Sequence, residues 1–192
     1  MGLFKIKYMV EYNSVIDIQF DDATIVEPVG LEEVKTFCKI DINTDNDIIT
    51  EMITSAREMC EDYSGIGFVE HNLIAVLNNS NGGIYLPYGP TGTIESIVDS
   101  NGNTLSSLDD YELVGGAFKS ILTPKNERLT VTFTSGYTEL PKRLKLALLN
   151  TIYYLYDNRA QSIDHIYDKN VPTIGNLGPI SEMILKPLRR VI

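Results

Sequence analysis

The chain has 192 residues, of which 43% are hydrophobic and 22% charged, and its formal net charge at pH 7 is −10. This length predicts one domain, with or without a small attachment, and the composition excludes a wholly disordered chain. Because no run of 18 apolar residues and no signal-peptide core is present, we expect no membrane span and a protein that stays in the cytosol of the cell that makes it.

The charge is unevenly distributed along the chain. Residues 1–120 contain 20 acidic and 6 basic residues, whereas residues 121–192 contain 6 acidic and 10 basic residues. An acidic body disfavours tight binding to nucleic-acid phosphates, because neutralising phosphates requires Lys and Arg. The basic C-terminal third is suited to an acidic partner or to a solvated surface.

The first 63 residues divide into an arm and two predicted helices. Residues 1–28 form an N-terminal extension arm with strand-like pieces, and their pattern fits either a docked hairpin or an arm that orders on a partner. Residues 31–39 and 45–63 repeat apolar side chains at helical spacing. At the start of the second helix, Thr44 or Asp45 is expected to act as the cap, and Asp47 is expected to close a capping box.

Residues 68–137 change to β-forming sequence. Two Gly-containing pairs, Asn101-Gly102 and Gly115-Gly116, predict hairpin turns because such turns need positive φ. The predicted strands are residues 73–77, 84–86, 93–98, 111–114, 118–122 and 128–134. We therefore predict an α+β fold, in which a helical core of two N-terminal helices and one long C-terminal helix carries an inserted small antiparallel β-rich subdomain.

The last long helix begins at Pro141, which suits a first-turn position. Its apolar residues cover more than one face, which indicates a helix that is either central or shared with a neighbouring subunit. If the helix is shared, the side chains that would contact another subunit are Leu144, Leu148, Ile152, Tyr153 and Tyr156. After a loop-like stretch, residues 181–192 form an apolar and basic tail that either packs on its own domain or docks on a partner.

Motifs for catalysis or cofactor binding are absent from the sequence. It contains no nucleophile elbow, P-loop, zinc-protease or dinucleotide-binding motif. We interpret His71 and His165 as surface histidines, and Cys38 and Cys60 as reduced core thiols. We therefore expect no enzymatic activity, no cofactor and no zinc site.

One stretch imitates a calcium loop without completing it. Asp41, Asn43 and Asp45 have the spacing of the first calcium ligands. The required Gly is replaced by Asn46 and the required bidentate acid by Met52, so we predict no metal here.

Six segments follow one another in a specific order: GLEEVKTFCKID, DNDIITEMITSAREMCEDYSG, IYLPYGPTGTIESIVDSNG, DYELVGG, LTVTFTSGYTELPKRLKLALLNTIYYLYDNR and LKPLRR. This order resembles the head–tail connector (adaptor) family of tailed bacteriophages over about residues 29–192. In that family a Gly-Tyr pair and a Pro precede a long helix that ends in an Arg. Gly136, Tyr137, Pro141 and Arg159 match this pattern, whereas Leu188 replaces the usual aromatic of the closing segment.

The resemblance implies a viral structural protein of the virion neck that is made in the host cytoplasm. It implies a homo-oligomeric ring, dodecameric to match the portal, which binds the portal protein and other neck or tail ring proteins. Genomic DNA would pass through this ring without sequence-specific binding. Residues 29–192 would be the connector domain, with its β-rich insertion at about 68–137 and a C-terminal docking tail at 181–192.

This framework assigns roles to two further sets of residues. Acidic side chains of the second helix are expected to face the DNA channel: Asp47, Glu51, Glu58 and Glu61. Tail residues are expected to dock on the portal and to be dispensable for the fold: Ile184, Leu185, Lys186, Leu188, Arg189, Arg190, Val191 and Ile192.

A second class of function also fits the acidic composition. An acidic monomeric binding protein, such as a DNA mimic or an inhibitor of a basic host protein, would use the negative charge of residues 1–120. It would have no use for the wide apolar helix or the basic tail, and it would remain monomeric. The oligomeric state therefore separates the two hypotheses.

Overall fold

A computed structural model describes residues 15–21, 25–79, 83–107, 109–124, 127–159 and 177–190. The described helices are α1 (Leu31–Cys38), α2 (Asn46–Ser64), α3 (Lys142–Asp157) and α4 (Pro179–Leu185), and a single 3-10 turn follows at Lys186–Leu188. The described strands are β1 (Val15–Asp21), β2 (His71–Asn78), β3 (Gly83–Tyr85), β4 (Thr91–Val98), β5 (Glu112–Val114), β6 (Ser120–Leu122) and β7 (Arg128–Ser135). The predicted α+β class is confirmed.

Helix α3 occupies the centre of the helical core. It packs against α1, α2 and α4, which explains why its apolar residues cover more than one face. Ile53 and Cys60 of α2 and Leu148 and Ile152 of α3 belong to one cluster of fully buried side chains. Most of the apolar surface of α3 is therefore covered within one chain, and Leu146 and Tyr153 remain exposed.

The strands form a second core. Strands β1, β2, β7 and β4 make an antiparallel sheet in that order, and β3, β6 and β5 make a smaller antiparallel sheet. Alternate residues of β2 and β7, such as Leu73 and Phe133, point inward and share one buried cluster with Ile121 of the smaller sheet. The alternation of burial along β7 matches the period of two that predicted this strand.

The N-terminal arm contributes an edge strand to the larger sheet. Strand β1 pairs with β2 from Val15 opposite Leu77 to Asp21 opposite Asn72. For residues 15–21, the alternative that the sequence left open is therefore decided in favour of docking on the same chain. Residues 1–14 and 22–24 lie outside the described part of the chain.

The predicted capping box at the start of α2 is wrong. Asp45 occupies the cap position, but its side chain makes no capping hydrogen bond. The Asp45 carboxylate instead accepts hydrogen bonds from the Tyr156 hydroxyl at 2.6 Å and the Thr44 hydroxyl at 3.2 Å. The Tyr156 hydrogen bond is the main cause of a lowered pKa of Asp45. This side chain thus ties the start of α2 to the end of α3.

The two predicted turns have different outcomes. Gly115 has a φ of 103° and lies in the tight connection between β5 and β6, as expected. Gly102 also has positive φ, and the Asp99 carboxylate accepts the Asn103 backbone N–H at 2.8 Å. After the turn at Gly102, the chain pairs with β4 through a single bridge, Val98 with Thr104, and does not form a full strand.

We expect Leu148→Ala to lower the free energy of unfolding by about 2–5 kcal/mol, because it leaves a cavity in the helical core. Leu146→Ala on the same helix is the matched control and should change it by less than about 1 kcal/mol, because Leu146 is exposed. Urea denaturation of both variants measures the difference. Equal losses would contradict the central placement of α3.

Candidate functional site

Three acidic side chains form an exposed stripe on α2. Asp47, Glu51 and Glu58 are all exposed. Their spacing of four and seven residues places them on one face of the helix, over a length of about 16 Å. Three carboxylates on one face give this surface a negative potential that repels phosphates.

Glu61 is not part of this stripe, and its assignment as a channel-facing acid is wrong. Its side chain is only 5% exposed and lies 2.7 Å from the Arg57 guanidinium. Its other oxygen accepts the backbone N–H of Phe68 at 2.6 Å. Burial raises the pKa of the Glu61 carboxyl, and Arg57 and the Phe68 N–H oppose that shift.

Arg57 connects this buried carboxylate to the N-terminal part of the chain. Its side chain is 5% exposed and pairs with Glu27 at 3.0 Å as well as with Glu61. Glu27 also accepts a hydrogen bond from the Thr54 hydroxyl at 2.9 Å. The three charged groups join α2, the segment before α1 and the segment that leads into β2. We call this set of Glu27, Arg57 and Glu61 the buried junction.

The predicted subunit-contact residues of α3 separate into core and surface positions. Leu144, Leu148 and Ile152 are buried in the helical core, so their packing is explained within one chain. Tyr153 is 46% exposed and is available to a partner. Tyr156 is half-buried and carries Arg159 stacked 4.0 Å from the centre of its ring. A role in subunit contact therefore remains a prediction for Tyr153 above all.

The sequence reasoning missed other exposed apolar side chains close to α3. Leu146, seven residues before Tyr153, lies on the same face of α3 and is also exposed. Ile180 and Met183 lie three residues apart on α4, and Met183 is 70% exposed. Because α4 packs on α3 through Ser181 and Thr151, the two helices together present all four side chains to solvent. Spacing gave no signal for the α4 pair, because Ile180 lies four residues before the buried Ile184 and would be assigned to the same face.

The C-terminal tail is divided between core and surface. Ile184 and Leu185 belong to the helical core, so the expectation that the whole tail is dispensable for the fold is wrong. Leu188 is half-buried against that core. Lys186, Arg189 and Arg190 are exposed. Val191 and Ile192 lie outside the described residues.

The basic residues at the start of α3 have structural partners. Lys145 forms a 2.7 Å ion pair with Glu33 of α1. The guanidinium of Arg143 donates to the backbone carbonyl of Ile184 at 3.2 Å. These contacts explain why cations lie where the helix dipole disfavours them.

The described histidine and cysteine side chains are buried or half-buried. His71 is 6% exposed and meets the Phe20 ring edge to face with ring centres 5.1 Å apart, so its interpretation as a surface residue is wrong. Burial raises the pKa of the Cys60 thiol to about 12 and also raises that of Cys38. His165 lies outside the described part of the chain. Within that part, no group of three or more potential ligands is arranged for a metal ion, and no helix is long and apolar enough to cross a membrane.

We expect Arg57→Met to cost about 3–5 kcal/mol of unfolding free energy at pH 7, because it leaves the Glu61 carboxylate buried without its cation. The deficit should shrink as the pH falls, because protonation of Glu61, whose pKa is raised in the folded state, removes the unpaired charge. Denaturation at several pH values measures both effects.

Glu58→Gln is the matched control for this change. Its ion pair with Arg57 is largely exposed and should contribute no more than about 1 kcal/mol. A deficit in Arg57→Met that is small or independent of pH would contradict the proposed burial of the junction.

The chain is similar to a known protein family and to several solved structures. The chain matches the family model described as head completion protein (HCP) over residues 29–166. No curated protein sequence matches the chain.

Three solved structures have a similar fold. A chain from the neck of an empty gene transfer agent (GTA) particle computed with C6 symmetry has a TM-score of 0.66 and 15% identity, covering 92% of this chain and 97% of that chain. A chain from the virion of a native GTA particle has a TM-score of 0.65 and 16% identity, covering 91% and 96% respectively. A chain from the neck of a native GTA particle computed with C12 symmetry has a TM-score of 0.58 and 15% identity, again covering 91% and 96%.

Proposed function

Because this chain belongs to the head completion protein family, we propose that it is a head–tail connector (adaptor) of a tailed bacteriophage or a related particle. In this proposal it is a structural protein without enzymatic activity. It forms a ring below the portal, extends the DNA channel and provides the attachment site for the tail. The single observation that carries the proposal is the family match over residues 29–166.

The fold relatives support the neck as the location of this protein. Two of them belong to necks computed with C6 or C12 symmetry, and their folds cover more than nine-tenths of this chain. A sixfold axis is contained in a twelvefold one, so both are compatible with the proposed dodecamer. Other neck or tail ring proteins are then the expected partners on the tail side.

A closed ring of identical subunits needs two different complementary surfaces on each subunit. The exposed side chains of α3 and α4 supply a candidate for one of them. Leu146, Tyr153, Ile180 and Met183 are large and apolar, and each is more than two-fifths exposed in the free chain. We propose that a neighbouring subunit covers this surface, with Tyr153 as its anchor.

The acidic stripe of α2 is proposed to face the channel. A negative wall repels DNA phosphates and allows the genome to pass without being held. The stripe consists of Asp47, Glu51 and Glu58, which are exposed, whereas Glu61 is buried in the junction beside Arg57. This assignment requires the outer face of α2 to point toward the ring axis.

The first experiment is native mass measurement of the protein alone and after mixing with the portal of the same particle. A multi-subunit ring in either sample, bound to portal in the mixture, is the expected result. A protein that stays monomeric and does not bind the portal would contradict the connector proposal. That result would favour the acidic binding protein, which a screen against basic host proteins at low salt would then test.

We expect Tyr153→Lys to reduce ring formation by about tenfold or more, because aromatic anchors contribute strongly to interfaces. The variant should keep its unfolding midpoint, since Tyr153 lies outside the buried core. Sedimentation of the assembled sample measures the change. Undiminished assembly would remove α3 from the proposed subunit interface.

Neutralising the stripe with Asp47→Asn, Glu51→Gln and Glu58→Gln should increase non-specific DNA affinity and steepen its dependence on salt. The matched control changes three exposed acids of the β-rich insertion to their amides: Glu95, Asp109 and Glu112. Both triple variants have the same net charge, so only position distinguishes them. Filter binding of the assembled ring at several salt concentrations gives the comparison, and equal affinities would contradict a channel-facing stripe.

A further inference from the structure

The end of the described part of the tail, Arg189 and Arg190, lies where the helical core and the β-rich insertion meet. The Arg190 backbone N–H donates to the Ser64 carbonyl at 2.7 Å. The Arg190 guanidinium lies 4.2 Å from the centre of the Phe118 ring, and that of Arg189 lies 5.4 Å from the centre of the Tyr63 ring. Both distances are within the range of cation–π attraction. The end of the tail is therefore seated on a specific surface of its own chain.

The surface that receives the tail comes from both parts of the fold. Tyr63 and Ser64 are the last two residues of α2. Phe118 belongs to the connection between β5 and β6, and its half-buried ring packs against the helical core. A Cβ on Gly89 would lie 2.5 Å from the Phe118 ring, so Gly89 leaves the space that this ring occupies. We call the surface formed by Tyr63, Ser64 and Phe118 the tail cradle.

The tail is anchored at one end and held weakly at the other. Ile184 and Leu185 are buried in the helical core, and Leu188 is half-buried against it. Arg189 and Arg190 are exposed, and their contacts with the cradle are one backbone hydrogen bond and two cation–π contacts. A cation–π contact of an exposed guanidinium and a single backbone hydrogen bond are individually weak, although the hydrogen-bond acceptor here belongs to the buried Ser64. Arg189 and Arg190 are therefore the residues that can leave the cradle while Ile184, Leu185 and Leu188 stay packed on the core.

We propose that the tail cradle is an intramolecular docking site that holds the portal-binding segment in the free subunit and must release it when the portal binds. This inference rests on the proposed function, because it takes the tail as the portal-binding segment. A segment that is docked on the cradle cannot bind the portal. The apparent affinity for the portal is therefore the intrinsic affinity multiplied by the fraction of molecules in which the segment is free. Weakening the cradle should therefore strengthen portal binding, although no residue that contacts the portal has changed.

The decisive variant is Phe118→Leu, which removes the aromatic face and keeps an apolar side chain against the core. We expect it to bind portal about two- to fivefold more tightly than the unaltered protein, which is the effect of losing one exposed cation–π contact on the docked state. In the free protein, the Arg190 amide should exchange with deuterium faster by a similar factor. Portal titration and hydrogen exchange of the full chain measure the two effects.

Tyr85→Leu is the matched control. Tyr85 lies in the same β-rich insertion, is 75% exposed and does not belong to the cradle. It should alter neither portal affinity nor the exchange of Arg190. A thermal unfolding midpoint for Phe118→Leu within a few degrees of the unaltered protein would show that the fold is kept.

The outcomes separate this inference from the proposed function. If the unaltered protein binds portal and Phe118→Leu binds equally or more weakly, the release mechanism is wrong while the connector proposal stands. If neither protein binds portal, the connector proposal fails and the inference fails with it. Tighter binding accompanied by unchanged Arg190 exchange would also overturn the inference, because the tail would not have been released.

Discussion

The buried ion pair between Arg57 and Glu61 determines how the two halves of this molecule meet. Glu61 accepts the Phe68 N–H, which directs the chain from α2 toward the sheet, while Arg57 also holds Glu27 before α1. Desolvation of such a pair offsets much of its Coulomb attraction, so its contribution lies in placement more than in net stability. The exposed stripe and two residues of the tail cradle, Tyr63 and Ser64, lie on the same helix as Arg57 and Glu61.

Local patterns in the sequence predict the elements of the fold well. The period of two in residues 128–134 and the helical spacing in residues 45–63 predict β7 and α2 to within about a residue at most ends. These predictions succeed because periodicity reflects which side of an element faces a core. The N-terminal strand was harder to predict from sequence, because its partner β2 is fifty residues away and only tertiary pairing decides where β1 lies.

The functional side chains were less predictable, because their roles depend on neighbours that are distant in sequence. Glu58 and Glu61 are three residues apart on one helix and both pair with Arg57, but only Glu61 is itself buried and accepts the backbone N–H of Phe68. Asp45 would cap α2 in isolation, but in the fold its carboxylate accepts a hydrogen bond from the Tyr156 hydroxyl of α3. The presence of Arg57 as the only base in an otherwise acidic helix was the one local sign that an acid beside it was paired.

The surfaces that remain exposed in the folded chain are those expected of a subunit in a larger assembly. The acids on α2 and the apolar side chains on α3 and α4 lie on elements that share one rigid helical core. A ring built from this core would fix the spacing between its channel surface and its subunit contacts. The tail differs, since Ile184 and Leu185 lie in that core while Arg190 contacts Phe118 of the β-rich insertion. It is therefore the segment best placed to respond to a partner.

The most direct test of the connector proposal is an electron cryomicroscopy map of the protein bound to the portal of the same particle. We predict a closed ring of twelve copies below the portal, in which Asp47, Glu51 and Glu58 point into the channel and the end of the tail has left Phe118 for the portal. A map in which the protein is bound as a monomer, or in which the α2 stripe faces away from the DNA path, would contradict it.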